Sequence, residues 1–473
     1  MVALVGGLIV SMAMVGLSKQ AMNTFHEEAR NAAAEAALRT GLERLRADLA
    51  MGGFLSTGNI VADNQAAHFG GSIPLCIGNT TTTQAFAAAP GIKRLAGIHL
   101  YEGGATAAAN PLETANRLAP DKIDIGGNFT NGEDYVGHLV TASAATSLGD
   151  TTCGSQAFQL DMNTATGWRL AAACGTTPCA PTAGPFFNAF HPGTSPTTQY
   201  IVRIADNSNP TLFQYAVLCA TSPVVFVAGP GTGANPNFAF VNIDSNTTPV
   251  GDTSNSSGNC KLKNWDAGNG ITRIAAVQVV EWDLQPQTAL SNSYGFIRTA
   301  DPNNLILTRT FVDGVAGTPD VTTTEAVAEY VIDVKFAFSV DATANGFSVP
   351  VPGAYGVAPL LHLPFEAAAA PNTNGGWAYD VSVGGAPPGP QRIRSTRVRL
   401  VTRTALPDRS SVLPAPPSDV FPSPTTAGSP YLYRYCLGTG ASPGVCAAGS
   451  VTWARARTAI TEVALPNQSR FFY

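Results

Sequence analysis

An uncharged apolar run opens the sequence and restricts the folds that the chain can adopt. Residues 1–17 contain no charged side chain, and the first proline of the chain is Pro74. A helix rises about 1.5 Å per residue, so this run would extend for roughly 25 Å, close to the hydrocarbon thickness of a bilayer. The run therefore suits lipid or a bundle of similar helices. The apolar side chains expected at this surface are Leu4, Val5, Leu8, Ile9, Val10, Met12, Met14, Val15 and Leu17.

The next segment, residues 18–53, continues the helical pattern and becomes amphipathic. Its leucines recur at three- and four-residue spacing, which places them on one face of a helix. Gly52 and Gly53 form a stop signal. The sequence therefore predicts one helix over residues 1–53, whose second part packs on a folded head. The packing residues expected are Leu38, Leu42, Leu45 and Leu49.

Two simpler interpretations of this helix compete. A signal peptide has a basic start, an apolar core and a cleavage site with small residues. Here the start is not basic and the helical pattern continues far beyond the apolar run, which argues against that interpretation. An ordinary single-span anchor stays open, because it differs only in what surrounds the helix.

The helix resembles that of a known family. Residues 1–18, 25–29 and 38–50 are similar to the N-terminal helix of type IV pilins, in particular PilW-type minor pilins. Segments further along the chain resemble strands of that family in the same order, with the weakest likeness in the middle of the chain. These segments are residues 120–125, 305–310, 325–336, 397–403 and 458–467.

The resemblance differs at the start of the chain. In the family, a peptidase cuts after a glycine, and the mature chain then opens with a phenylalanine and a glutamate at its fifth position. This sequence begins inside the apolar run. Either the true start lies upstream or this copy is truncated, and none of its residues can take the role of that glutamate.

The resemblance implies an α+β protein with the type IV pilin fold, in which a long N-terminal helix packs on an antiparallel sheet. Residues 1–17 would form the membrane or filament core, and residues 54–473 the head. Residues 141–270 would be a large insertion, rich in loops and strands. The implied partners are other minor and major pilins, a tip adhesin, and the inner membrane before assembly. The head would be periplasmic before assembly and extracellular, at the pilus tip, afterwards.

Composition agrees with a head rich in turns and short strands. Charged residues make up only 12% of the chain, which has 47 glycines and 34 prolines. The formal net charge is -5, so no overall basic field attracts nucleic acid, and we expect no nucleic-acid partner. Lys335 alternates with apolar neighbours, which predicts a strand with one solvated face. Five arginines within residues 392–403 suggest a similar solvated face or, less readily, a basic patch.

Eight cysteines follow the apolar helix, an even number that indicates disulfides in an exported chain. The closest pairs are Cys174 with Cys179 and Cys436 with Cys446, and Cys219 with Cys260 is a weaker candidate. No C-x-x-C motif occurs, and the histidines do not have zinc-ligand spacing relative to the cysteines.

Motifs for catalysis are weak, and we predict no catalytic, cofactor-binding or metal-binding residue. Residues 440–444 match G-x-S-x-G, but Pro443 follows the serine and lacks the N–H that an oxyanion hole needs. The six histidines have no recognisable acid–nucleophile arrangement. Calcium is an alternative for the loops at Asp244 and residues 251–258, although they lack the spacing of an EF-hand.

The sequence as a whole favours a structural protein over an enzyme. The leading hypothesis is a minor pilin that initiates or caps a type IV pilus, in a priming or tip complex with other minor pilins and an adhesin. The insertion could itself be adhesive. The alternatives are a pseudopilin of a type II secretion system and a membrane-anchored periplasmic hydrolase.

Overall fold

The protein is described by a computed structural model in separate stretches of the chain. The described residues are 2–60, 91, 94–101, 103–109, 113, 116, 118–130, 132–140, 156–161, 185–207, 213–227, 238–244, 272–290, 304–341, 360–362, 393–407, 434–437 and 453–467.

A single helix, α1, covers Val2–Met51. Its second half is rich in Ala, Leu, Arg and Glu, the residues with the highest helix propensity. The helix ends where Gly52 donates its N–H to the Leu49 carbonyl and Gly53 adopts a φ of 77°, a left-handed conformation that favours glycine. Fifty residues at 1.5 Å each give a rod of about 75 Å.

The first sheet collects most of the described strands, and all of its pairings are antiparallel. Its strands are β1 His99–Tyr101, β2 Lys122–Gly127, β3 Asp134–Val140, β4 Gln156–Asp161, β5 Ile201–Asp206, β6 Phe213–Val217, β7 Val224–Val227, β8 Phe238–Ile243, β9 Thr272–Pro286, β10 Leu305–Val312 and β11 Glu325–Glu329.

The long strand β9 organises this sheet. One edge pairs with β2 and β3, and the other edge pairs with β10 and β5. Valines and isoleucines along β9 suit a strand buried on both faces. The described strands between residues 141 and 270, β4 to β8, are hydrogen-bonded into this same sheet.

The second sheet has the order β13-β12-β14-β16-β15 and is also antiparallel. Its strands are β12 Val331–Asp341, β13 Leu360–His362, β14 Ile393–Arg403, β15 Arg434–Cys436 and β16 Trp453–Ala464. Short helices complete the described elements: α2 Pro185–Phe190, α3 Gln287–Leu290, and 3-10 turns at Thr106–Ala109 and Val321–Thr323.

The main core lies between the second half of α1 and the sheets. Leu38, Leu45 and Leu49 of α1 join one buried cluster with side chains of β12 and β14 such as Phe336 and Leu400. This arrangement confirms the α+β class, with a long apolar N-terminal helix followed by antiparallel sheets.

The expectation of solvated faces on the second sheet was wrong. Lys335 is buried and donates to Asp121 Oδ1 at 2.8 Å. Arg399 is buried beside Asp333, with Nη2 to Oδ2 at 3.0 Å. The guanidinium of Arg403 lies over the rings of Tyr330 and Tyr435, 5.0 and 5.5 Å from their centroids. These cations alternate with apolar residues because partners distant in sequence cover that face.

Candidate assembly interface

The first half of α1 projects from the head as an exposed apolar rod. We call residues 5–26 the bare rod, since every one of them is exposed. The predicted apolar residues from Val5 to Leu17 keep 54–71% of their area accessible. The side chain of Leu4 lies outside the described residues. Twenty-two residues correspond to about 33 Å of helix.

Apolar exposure on this scale indicates an interaction surface. Burying one such side chain is worth about 1.5–3 kcal/mol, and large exposed apolar patches mark membrane or protein contacts. Within the described part of the chain, one helix is long and apolar enough to cross a membrane, with a mean hydropathy of 1.3 in its best window. The rod is therefore compatible with a membrane anchor.

Glycines leave the backbone of the rod accessible. A methyl group added at Gly6, Gly7 or Gly16 would meet nothing within 4 Å. Small residues at such positions let a second helix approach closely in lipid or in a helical bundle. The rod can therefore pack against helices of other chains.

The second half of α1 is fixed to the head by a buried polar triad. The Asp48 carboxylate accepts a hydrogen bond from Arg309 Nε at 2.6 Å and another from Trp282 Nε1 at 3.0 Å. All three side chains are almost fully buried. The triad ties the helix to neighbouring strands β9 and β10, because Trp282 and Arg309 are directly paired in the sheet.

Apolar packing surrounds this triad. Leu38, Leu45 and Leu49 are buried, whereas Leu42 is half-buried at the edge of the core. Gly41 allows the close approach, because a Cβ at this position would lie 3.0 Å from Leu400 Cδ2 and 3.3 Å from Ala328 Cβ. The helix and the sheets therefore move as one unit at this level.

Sequence reasoning missed Asp48, although a signal for it was present. It lies three residues after Leu45 and one before Leu49, which places it on the buried stripe. A carboxylate on an apolar stripe needs a buried partner. The identity of Arg309, 261 residues away, carries no local signal.

A second buried cluster lies where β1, β2 and β9 meet. Arg94 binds both oxygens of Asp124 at 2.6 and 2.7 Å and reaches Glu281 at 2.5 Å. Tyr101 donates its hydroxyl to Asp124 at 2.9 Å. Burial and the neighbouring Asp124 raise the pKa of Tyr101 well above its ordinary value, and they also raise the pKa of Glu281. These groups satisfy one another, so the cluster acts as a cross-link between strands.

The other residues considered for chemistry do not come together. His191 is buried, with Nδ1 2.7 Å from the Gly193 carbonyl, while His26 and His138 are exposed. Among the described residues, no group of three or more His, Cys, Asp or Glu could hold a metal ion. Asp244 accepts a hydrogen bond from Gln199 Nε2 at 2.8 Å. Residues 440–444 and 251–258 lie outside the described part.

Both cysteines of the described part, Cys219 and Cys436, are disulfide-bonded. Their predicted partners Cys260 and Cys446, and the pair Cys174 and Cys179, lie outside that part. The three pairings therefore stay predictions.

Comparison of the chain with family models, with curated proteins and with solved structures found no match. Function is therefore inferred from the geometry of the rod, its attachment to the head, and the resemblance of its residues to type IV pilins.

Proposed function

We propose that this protein is a minor pilin of the PilW type, which enters a type IV pilus and helps to initiate or cap it. The observation that carries the proposal is the bare rod, an apolar half-helix that continues without a break from a half-helix fixed in a β-rich head. Nothing in a soluble monomer compensates for exposing that surface. A subunit that passes from membrane to fibre uses the same surface in both places.

The length of the rod supports the first of these two environments. Residues Val2 to Met22 would extend for about 30 Å, the thickness of the hydrocarbon core. Lys19 is the only charge among them and lies near the end that faces the head, where its side chain can reach the membrane surface. Before assembly, the rod would stand in the inner membrane with the head in the periplasm.

The second environment is a bundle of similar helices. In lipid, the hydrophobic effect does not drive helices together, so packing and close backbone approach decide the association. The open positions at Gly6, Gly7 and Gly16 allow such an approach. Attachment through Asp48 would then transmit the position of the rod to the head. In this proposal the head contacts other minor and major pilins and a tip adhesin.

The test is the location of the protein in the organism that encodes it. Antibody against the head should detect the protein both in inner membranes and in filaments sheared from the cell surface, and deletion of the gene should lower the number of filaments. An inner-membrane marker protein that is absent from the sheared fraction is the control. Absence of the protein from sheared filaments, together with unchanged filament number in the deletion strain, would overturn the proposal.

The same experiment separates the alternative of a secretion pseudopilin. That alternative is compatible with the same rod and head. It predicts normal surface filaments and a loss of protein secretion in the deletion strain, which is the opposite pair of outcomes.

A further inference from the structure

An open cleft lies where the bare rod leaves the head. We call it the collar cleft. Its lining comes from α1, from the residues that follow β14 and from β16: Glu27, Arg30, Asn31, Thr404, Leu406, Pro407 and Arg455.

The head side of the collar cleft is held in place by its backbone. Thr404 donates its N–H to the Arg455 carbonyl at 2.9 Å, and the Arg455 N–H donates to Thr404 Oγ1 at 3.3 Å. Thr404 Oγ1 also donates to the Leu406 carbonyl at 3.0 Å. The arginine and the leucine therefore have fixed backbone positions on the same rim.

The collar cleft has two cationic side chains beside an exposed apolar one. Arg30 and Arg455 lie on its two walls. Leu406 is 50% exposed, which is unusual for a leucine outside the rod, and Pro407 follows it. Glu27 is the acidic residue of the lining, and it makes an interaction of its own within the protein. Basic and apolar groups side by side are typical of surfaces that contact anionic lipid.

The height of the collar cleft along the helix matches the headgroup layer. If Val2 to Met22 span the hydrocarbon, Arg30 lies eight residues, or about 12 Å, beyond its edge. Helical side chains lean toward the N-terminus, over the preceding turn of about 5 Å, so the guanidinium lies nearer the membrane than its Cα. The headgroup layer extends about 5–7 Å from the hydrocarbon, which is where the guanidinium would be.

We propose that the collar cleft binds the phosphate of an anionic phospholipid, with Arg30 and Arg455 as the cationic ligands and Leu406 against the upper acyl chain. This contact holds the head on the bilayer surface until the subunit leaves the membrane. The inference rests on the membrane-spanning rod of the proposed function. Arg457, exposed two residues along the same strand, adds positive charge beside the site.

The experiment uses the full-length chain in detergent micelles, with lipid binding measured by the rise in unfolding temperature as lipid is added. Dimyristoylphosphatidylglycerol should stabilise the protein in a dose-dependent way, whereas dimyristoylphosphatidylcholine and sodium phosphate should not. Because each arginine near an anionic surface contributes about 1 kcal/mol, the Arg30→Gln/Arg455→Gln variant should bind the anionic lipid about thirty-fold more weakly.

The matched control removes two charges elsewhere on α1. Arg39 and Arg46 are exposed and lie outside the collar cleft, so Arg39→Gln/Arg46→Gln should bind the lipid as the wild type does. Equal binding by the Arg30→Gln/Arg455→Gln variant and the wild type would overturn the inference, as would an equal loss in the control. Stabilisation by phosphatidylcholine or by free phosphate to the same extent would also overturn it.

Failure of this inference can be told apart from failure of the proposed function. Retention of the chain in carbonate-washed membranes and its presence in sheared filaments report on the rod alone, and the proposed function predicts both for the Arg30→Gln/Arg455→Gln variant. Loss of the wild-type chain from washed membranes would remove the premise of both proposals.

Discussion

Asp48 and Arg309 form a buried ion pair, with Oδ2 and Nε 2.6 Å apart, that joins the helix to the sheet. Trp282 completes the site by donating its indole N–H to the same oxygen. Because both charges are removed from water, each depends on the other far more than a surface pair would. The pair therefore decides whether the helix and the head behave as one body.

Asp48→Asn should destabilise the full-length chain by about 3–5 kcal/mol, because it leaves the Arg309 charge buried without its closest counter-ion. Urea unfolding in detergent micelles, followed by tryptophan fluorescence, measures this loss. Glu43→Gln, at an exposed position on the same helix, is the control and should change stability by less than about 0.5 kcal/mol.

The double variant Asp48→Leu/Arg309→Met extends this test. Replacing both charges by apolar groups removes the desolvation penalty, so the double variant should be more stable than Asp48→Asn. A stability of Asp48→Asn equal to that of the wild type would show that the pair does not hold the helix.

Gly41 sets the distance between the helix and the second sheet. A larger side chain there must displace Leu400, whose Cδ2 would lie 3.0 Å from an added Cβ. Gly41→Leu should therefore cost about 1–3 kcal/mol through overpacking, measured by the same urea unfolding. Gly16→Leu, where the added group meets nothing within 4 Å, should leave the unfolding of the head unchanged. Equal effects of the two substitutions would contradict this packing of the helix on the sheet.

Glu113 provides a test of pH dependence. Its carboxyl is fully buried and accepts the Tyr435 hydroxyl at 2.5 Å, while no hydrogen-bond partner is found for Oε2 in the described part. Burial raises the pKa of Glu113 well above its ordinary value. The folded state then holds its proton more tightly than the unfolded state, so this contribution to stability is complete below about pH 4.3 and is lost as pH rises through the folded pKa.

Glu113→Gln should remove this loss, since glutamine is neutral and can still accept the tyrosine hydroxyl. The difference in unfolding free energy between the variant and the wild type should grow in favour of the variant above pH 4.3, by at most about 1.4 kcal/mol per pH unit. Urea unfolding between pH 4 and 8 measures it. The exposed Glu329→Gln is the control, and a constant difference across this range for Glu113→Gln would count against a buried neutral carboxyl.

Local patterns predicted much of the secondary structure. The spacing of Leu38, Leu45 and Leu49 predicted a helix with one buried stripe, and all three are buried. Runs of β-branched residues predicted β9 and β10 close to their observed bounds, because such side chains fit a pleated, buried surface. The predicted helix boundary at residue 53 lies two residues beyond Met51.

Long-range partners could not be predicted from the same patterns. Lys335 alternates with apolar residues as a solvated lysine would, and only the fold places Asp121, 214 residues away, against it. Arg399 and Arg403 are buried for the same reason, through Asp333 and two tyrosine rings. The collar cleft was not predicted either, because α1, the end of β14 and β16 meet there only in the folded head.

The most direct test of the central claim, that the bare rod carries this subunit into a fibre, is the amount of a Val10 variant in sheared filaments. Val10 is exposed near the middle of the apolar run, and a charge at mid-bilayer costs about 2.5–3.5 kcal/mol on insertion scales. Val10→Asp should abolish incorporation, while Val10→Leu, which keeps the surface apolar, should leave it at the wild-type level. Wild-type amounts of Val10→Asp in sheared filaments would contradict the account.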